Sequence, residues 1–322
     1  MAVPSRELST RLELREFDGT LDSLCKTVGS GSYGMVYEVK VKGVPRIAKR
    51  LHDIFLHHDI LPEQKQGIQE RFYNECLLLS KLNHPNIVGF IGVHVNPRDQ
   101  FDMTLVMECL HTDLEKFLRR SSITPSIKYS ILLDVTYALL YLHTQLEEPL
   151  IHRDLTAANV LITKDVRAKI CDLGLSKLLK DYPQSLQAQT ICPGTLAYMP
   201  PEALIEEPKY DVQLDIFSFG HLALYVAIQQ FPQVFAVTSS SQSILTYIKR
   251  DELEIFKRRK WIDMIDQPID FHDKICQCLK DSPEHRPNTE QLNDFMKNLC
   301  VQHPKRLQDV IEAWGDQVRM YT

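Results

Sequence analysis

The hydrophobic pattern of this chain changes character once, near Cys109, and that change limits the folds open to it. Before it, apolar residues recur mostly at every second position. Tyr37, Val39 and Val41 alternate with Glu38, Lys40 and Lys42, the period of a half-exposed strand. Gly43-Val44-Pro45 reads as a turn, and Ile47-Ala48-Lys49 begins the next strand. One helix interrupts this part, Gln69 to Leu82, with Phe72, Cys76, Leu79 and Leu82 spaced by three and four residues; His84-Pro85-Asn86 breaks it. Strands follow over Ile87–Val95 and Met103–Glu108. Beyond Cys109 the period is helical. Thr124-Pro125 supplies a cap and a proline at the first helical position, and Ile127, Ile131, Leu132, Val135, Leu139 and Leu142 line one face. Asp215 to Gln229 is apolar nearly all round, as in a helix buried at the centre of a lobe. The pattern implies an α+β chain.

The chain's 322 residues, 44% of them hydrophobic, allow one large domain or a two-lobed one. A formal charge of −5 and a pI near 6.2 give no global electrostatic case for nucleic acid. The run Lys257-Arg258-Arg259-Lys260 is local and reads as a solvated helix end. Eight cysteines show no zinc-type spacing, Cys276-Gln277-Cys278 being too tight, and read as reduced thiols. The N-terminus lacks the apolar core of a secretory signal, and Ile216 to Ile228 is too short and too interrupted to cross a bilayer. The reading is a soluble, cytoplasmic protein.

Two short loops carry the chemistry. Ile151-His152-Arg153-Asp154-Leu155-Thr156-Ala157-Ala158-Asn159 and Asp172-Leu173-Gly174 each adjoin an apolar stretch that reads as a strand. A carboxylate, an amide and a second carboxylate placed this way suit magnesium on a polyphosphate, while Asp154 accepts a proton from an incoming hydroxyl or orients it. Asn159 and Asp172 offer the hard oxygen ligands.

Upstream, Gly29-Ser30-Gly31-Ser32-Tyr33-Gly34-Met35-Val36 has the glycine spacing of a phosphate-binding loop. A dinucleotide-binding fold would begin a helix here, whereas Met35 to Lys42 alternates as a strand and sets the loop at a hairpin. Lys49, one strand later, can reach α- and β-phosphates, with Glu75 on the helix as its partner and Glu70 as the competitor. Arg153, beside Asp154, calls for an anion. Phosphorylated Thr190, Ser185 or Tyr182 would supply it, or a fixed carboxylate would.

These motifs in this order resemble the protein kinase family from about Leu21 to Cys300. The resemblance implies a bilobal fold: a small antiparallel-sheet lobe over about 21–108, a hinge over about 108–112 and a large helical lobe over about 113–300. Residues 1–20 would be a lead-in and 301–322 a charged tail, either docked on the large lobe or mobile. ATP and Mg2+ would be the cofactors. Val28, Gly29, Ser30, Gly31, Ser32, Tyr33 and Gly34 would cover the nucleotide, and Lys49 would anchor it. Val36, Ala48 and Leu161 would sandwich adenine. Met107 resembles a gatekeeper, and the hinge backbone from Glu108 to Leu110 would bond the base. Leu79, Phe90, His152 and Leu173 would stack as a spine, making His152 structural. Gly194 to Glu202, ending in Pro200-Pro201-Glu202, resembles the end of an activation segment, in which Glu202 would pair with Arg286, and Asp215 to Gly220 resembles the central helix of the large lobe.

Thr156 and Ala158 stand where lysine marks serine/threonine kinases and arginine marks tyrosine kinases. Gly194-Thr195-x-x-Tyr198 resembles the serine/threonine form, with Thr195 near Asp154. The whole most resembles the tyrosine kinase-like group, acting on serine or threonine of protein substrates. The alternatives are a tyrosine or dual-specificity kinase, or a pseudokinase scaffold. An upstream kinase or autophosphorylation would act on the activation segment. The segment between Lys49 and Glu75, with His52, His57 and His58, looks long for the family.

Overall fold

The computed structural model describes residues 26–30, 34–52, 62–96, 99–120, 123–174, 176–178, 198–203, 211–229 and 268–314. The lead-in, His57, His58 and the basic run 257–260 lie outside them. Contacts divide the chain into two units. The first holds the residues up to Leu110 with Asp172–Leu175, and the second holds His111–Cys171 and Ser176 onward.

In the first unit, β1 (Lys26–Ser30), β2 (Gly34–Val41), β3 (Val44–Leu51), β4 (Phe90–Asn96) and β5 (Asp99–Glu108) form an antiparallel sheet in the order β1-β2-β3-β5-β4. Val39 is buried between exposed Glu38 and Lys40, as the alternation requires. The β2–β3 turn is Lys42-Gly43, at φ 51° and 76°, so β3 begins at Val44 and not at Ile47. Two residues with positive φ match the right-handed twist of the flanking strands. Pro45 is tolerated because pairing of β3 with β5 starts only at Arg46, leaving one neighbour at Pro45.

Helix α1 spans Pro62–Lys81, starting well before Gln69. Proline suits the first helical turn, and Pro62-Glu63-Gln64-Lys65-Gln66 has no apolar period to announce a helix. Phe72, Cys76 and Leu79 are buried as expected, whereas Leu82 lies past the helix end.

The second unit opens with β6 (Thr112–Asp113) and α2 (Leu114–Arg120), then α3 (Pro125–Leu140), which runs into a π-helical turn at Tyr141–Gln145. Thr124 takes the N-cap position, but its hydroxyl bonds Ser126 Oγ at 2.8 Å and no backbone amide. The expected face is buried, Ile127 to Leu139 on α3 and Leu142 on the turn that follows, and so are Lys128, Tyr129, Asp134, Thr136 and Ala138. Buried charge is matched locally. Lys128 Nζ donates to Ala227 O at 2.7 Å, and Asp134 accepts from Arg167 and from Ala168 N.

Short strands β7 (Leu150–Ile151), β8 (Val160–Ile162), β9 (Ala168–Ile170) and β10 (Lys177–Leu178) frame the two loop motifs. Helix α4 (Gln213–Ile228) is buried without a break from Leu214 to Ala227. Each Leu, Ile or Phe fully buried there contributes roughly 1.5–3 kcal/mol, which explains an all-round apolar helix. Gly220 lets α4 approach α5 (Ile269–Cys278): an added Cβ would sit 2.9 Å from Cys278 Cβ. Asn288 and Gln291 form a reciprocal capping box at the start of α6 (Thr289–Gln302). The tail continues as α7 (Leu307–Trp314), docked on the second unit.

Candidate active site

Within the first unit Lys49 is paired with Glu75. Lys49 on β3 donates to Glu75 Oε1 and Oε2 at 2.7 and 2.9 Å and to Asp172 Oδ1 at 2.9 Å. Glu75 is buried on the inward face of α1, while Glu70 is exposed. Burial alone would push the Lys49 ammonium down, but the carboxylates of Glu75 and Asp172 overturn this and hold it well above the usual lysine value. Burial in turn pushes Glu75 up, opposed by Lys49 and assisted by Asp172. The result is one fixed cation between two carboxylates.

Strand register decides which neighbours share that cation's face. Val36 lies directly opposite Lys49, and Ile47 opposite Met107. Because alternate residues share a face, Val36, Ile47, Lys49 and Met107 point the same way. Ala48 does not. It pairs with Tyr37 and Val106 on the opposite face and is fully buried there. Ala48 therefore does not share the Lys49 face expected of an adenine contact, whereas Ile47 does.

Val28, Gly29 and Ser30 lie on β1, paired antiparallel with β2 in the hairpin expected of the glycine loop; Gly31, Ser32 and Tyr33 at its tip lie outside the described residues. Gly34 has a packing reason to be glycine, since a Cβ there would sit 2.5 Å from Arg50 O. At the end of β5, the Glu108 carboxylate turns back onto Gly89 N at 2.5 Å, and Glu108 N donates to Gly89 O. Leu110 follows in irregular backbone.

In the second unit, Asp154 and Asn159 are brought together. Asn159 Nδ2 donates to Asp154 O at 2.8 Å and to Asp154 Oδ2 at 2.9 Å. That use of the amide nitrogen turns the carbonyl oxygen, the end suited to a hard cation, away from Asp154. Leu161 sits on β8, two residues after Asn159. His152 is buried, with Nε2 bonded to Cys171 O at 3.0 Å and Nδ1 accepting from Asp154 N at 3.3 Å, so both ring nitrogens serve the loop.

Asp215, read from the sequence only as a helix landmark, proves to be the post for this loop. It accepts from His152 N and Arg153 N, each at 2.8 Å, and contacts His143 Nε2 at 2.8 Å. Burial would raise the Asp215 carboxyl, but its contacts with His143, His152 and Arg153 N outweigh this and lower it. A single acid opening an otherwise apolar helix was the available signal. Arg153 and Asp172 have φ of 70° and 62°, left-handed values that non-glycine residues hold only where surroundings impose them.

Arg286 has a side chain with no solvent exposure and forks onto Glu202, with further bonds to Lys280 O, Gln213 O and Asp281 O. This is the expected pair. A family model described as protein kinase domain matches residues 23–304. The chain belongs to the protein kinase domain family.

Among curated relatives, this kinase domain is 28% identical over 302 residues to a probable serine/threonine-protein kinase, kinX, of Dictyostelium discoideum, covering 92% of this chain and 25% of that one. It is 29% identical over 298 residues to cysteine-rich receptor-like protein kinase 27 of Arabidopsis thaliana, covering 86% and 42%. The chain thus spans between a quarter and under half of those relatives' lengths. Membership implies ATP, a divalent metal and protein substrates in general terms. Among the described residues no helix is long and apolar enough to cross a membrane. Thr195 and the activation-segment positions Tyr182, Ser185 and Thr190 lie outside the described residues.

Proposed function

We propose that this kinase domain transfers the γ-phosphoryl group of ATP to serine or threonine hydroxyls of protein substrates. The observation that carries the reading is Lys49 held between Glu75 and Asp172, a cation fixed where it can bind phosphate oxygens. Lys49 would bind the α- and β-phosphates, and Val36, Ile47 and Leu161 would contact adenine. Asp154, held by the amide of Asn159, would orient the acceptor hydroxyl and take its proton at a carboxylate oxygen. The donor set fits a hard cation: magnesium on Asn159 and Asp172 would neutralise charge building on the phosphates. The name of the Dictyostelium relative supports serine/threonine acceptors, as does the motif Gly194-Thr195-x-x-Tyr198.

Autophosphorylation with magnesium and ATP tests this against Lys49→Met and Asp172→Ala. Label in the wild type alone, on phosphoserine or phosphothreonine, is expected. Equal label in all three proteins points to a scaffold carrying a contaminating kinase, and label confined to tyrosine overturns the acceptor assignment.

A further inference from the structure

The segment after Pro304 lies beyond the residues matched to the family, yet it grips three consecutive carbonyls of the second unit. Lys305 Nζ donates to Asp165 O at 3.2 Å and Val166 O at 3.0 Å, and Trp314 Nε1 donates to Lys164 O at 2.7 Å. Between them, Asp309 Oδ2 accepts from Ser126 Oγ at 3.0 Å. The Trp314 ring packs edge-on against His111 and Phe117, with centroids 4.6 and 4.9 Å apart.

Those carbonyls form the turn between β8 and β9. Val166 within it is fully buried at φ 54°, a backbone state that a β-branched residue keeps only where neighbours over-determine it. The hairpin matters because of what it joins. Asn159 immediately precedes β8, Leu161 lies on it, and Asp172 follows β9 by two residues. His111, packed on the same indole, follows Leu110 in the chain and donates its N–H to Ile162 O of β8 at 3.1 Å. One side chain therefore contacts both the turn of this hairpin and His111, a residue of the proposed hinge.

We propose that residues 305–314 are a brace on the β8–β9 hairpin, and that Trp314 is a positioning residue for nucleotide binding, acting through Lys164 and His111. The nucleotide part rests on the kinase reading above. The brace is assigned a positioning role, not a catalytic one. Its effect is to keep a strained turn, and the ligands on either side of it, in one arrangement.

The test compares full-length wild type with Trp314→Ala, Trp314→Phe and Lys305→Met, measuring MgADP affinity by calorimetry and amide exchange of residues 160–170. The expected result for Trp314→Ala is a Kd weakened roughly 2- to 30-fold and faster exchange across the hairpin. Trp314→Phe keeps the ring but loses the donor to Lys164 O, so a smaller change in the same direction is expected. Wild-type exchange or unchanged affinity in a folded Trp314→Ala chain overturns the proposal. Where that variant does not fold, unchanged values in both milder variants overturn it. A wild type that takes no MgADP sinks the kinase reading, and hairpin exchange then decides the brace alone.

Discussion

Lys49 Nζ is bonded to both carboxylate oxygens of Glu75, at 2.7 and 2.9 Å, and also reaches Asp172, so its position is set from two directions. Glu75 is buried and has no comparable rival, because Glu70 faces solvent. Glu75→Gln keeps the shape but removes the charge that holds the ammonium. We expect kcat/KM for ATP to fall by about 10²-fold, with Glu70→Gln near wild type. Steady-state kinetics on both variants check this, and equal losses would reassign the partner.

Asp154 and Asn159 act as a unit, since the amide holds the carboxylate at 2.9 Å. Asp154→Asn would remove the proposed proton acceptor and leave Lys49 in place. The expected outcome is a kcat lowered by roughly 10²- to 10⁴-fold with MgADP affinity within about threefold of wild type. Calorimetry beside single-turnover kinetics separates the two. A parallel loss of nucleotide affinity would mean that Asp154 serves binding rather than transfer.

Asp215 ties the acid stability of the fold to the catalytic loop. Its folded-state pKa is depressed, so its contribution to stability is complete above the ordinary carboxylate value of 3.8 and is lost as pH falls below that. Asp215→Asn replaces a buried acceptor of two backbone N–H bonds and should cost roughly 3 kcal/mol at neutral pH. Urea midpoints across pH should show the wild type losing its advantage below about pH 4. A variant with the wild-type acid profile would refute the linkage.

Arg286 is held by directional bonds from two sides, with Glu202 on one and three carbonyls on the other. It also lies over the Phe217 ring, 4.8 Å from its centroid. Lysine cannot reproduce a planar fork. Arg286→Lys is expected to lower stability by about 3 kcal/mol, read as a shifted denaturation midpoint at an unchanged m-value.

What the sequence made legible followed from charge spacing and strand period. Lys49, Asp154 and Asn159 stand in short motifs, Glu75 was separated from Glu70 by the helix face it shares with Leu79, and the Glu202–Arg286 pair came from the family resemblance. Ala48 was misplaced although the same period was available: residues two apart share a strand face, so Ile47 and not Ala48 accompanies Lys49. The early start of α1 was hidden because Pro62-Glu63-Gln64-Lys65-Gln66 has no apolar rhythm. The role of Asp215 and the grip of Trp314 depend on contacts between residues 63 and 150 positions apart, which no local pattern reports.

Gly34 and Gly29 belong to one motif, yet the structure separates them. An added Cβ at Gly34 would sit 2.5 Å from Arg50 O and 3.2 Å from its carbonyl carbon, whereas at Gly29 the nearest contact is Val36 Cβ at 4.0 Å. The first clash is with backbone of the neighbouring strand, so relief requires β2 and β3 to part where Gly34 pairs with Leu51. That pairing lies two residues from Lys49 and carries Val36 opposite it. Gly34→Ala should therefore destabilise the domain by roughly 1–3 kcal/mol and weaken MgADP binding. Gly29→Ala should leave stability within about 0.5 kcal/mol of wild type. Thermal denaturation of the two variants gives the comparison. Equal destabilisation would show that the motif's glycines are required by the loop backbone alone, and not by the packing of β2 on β3.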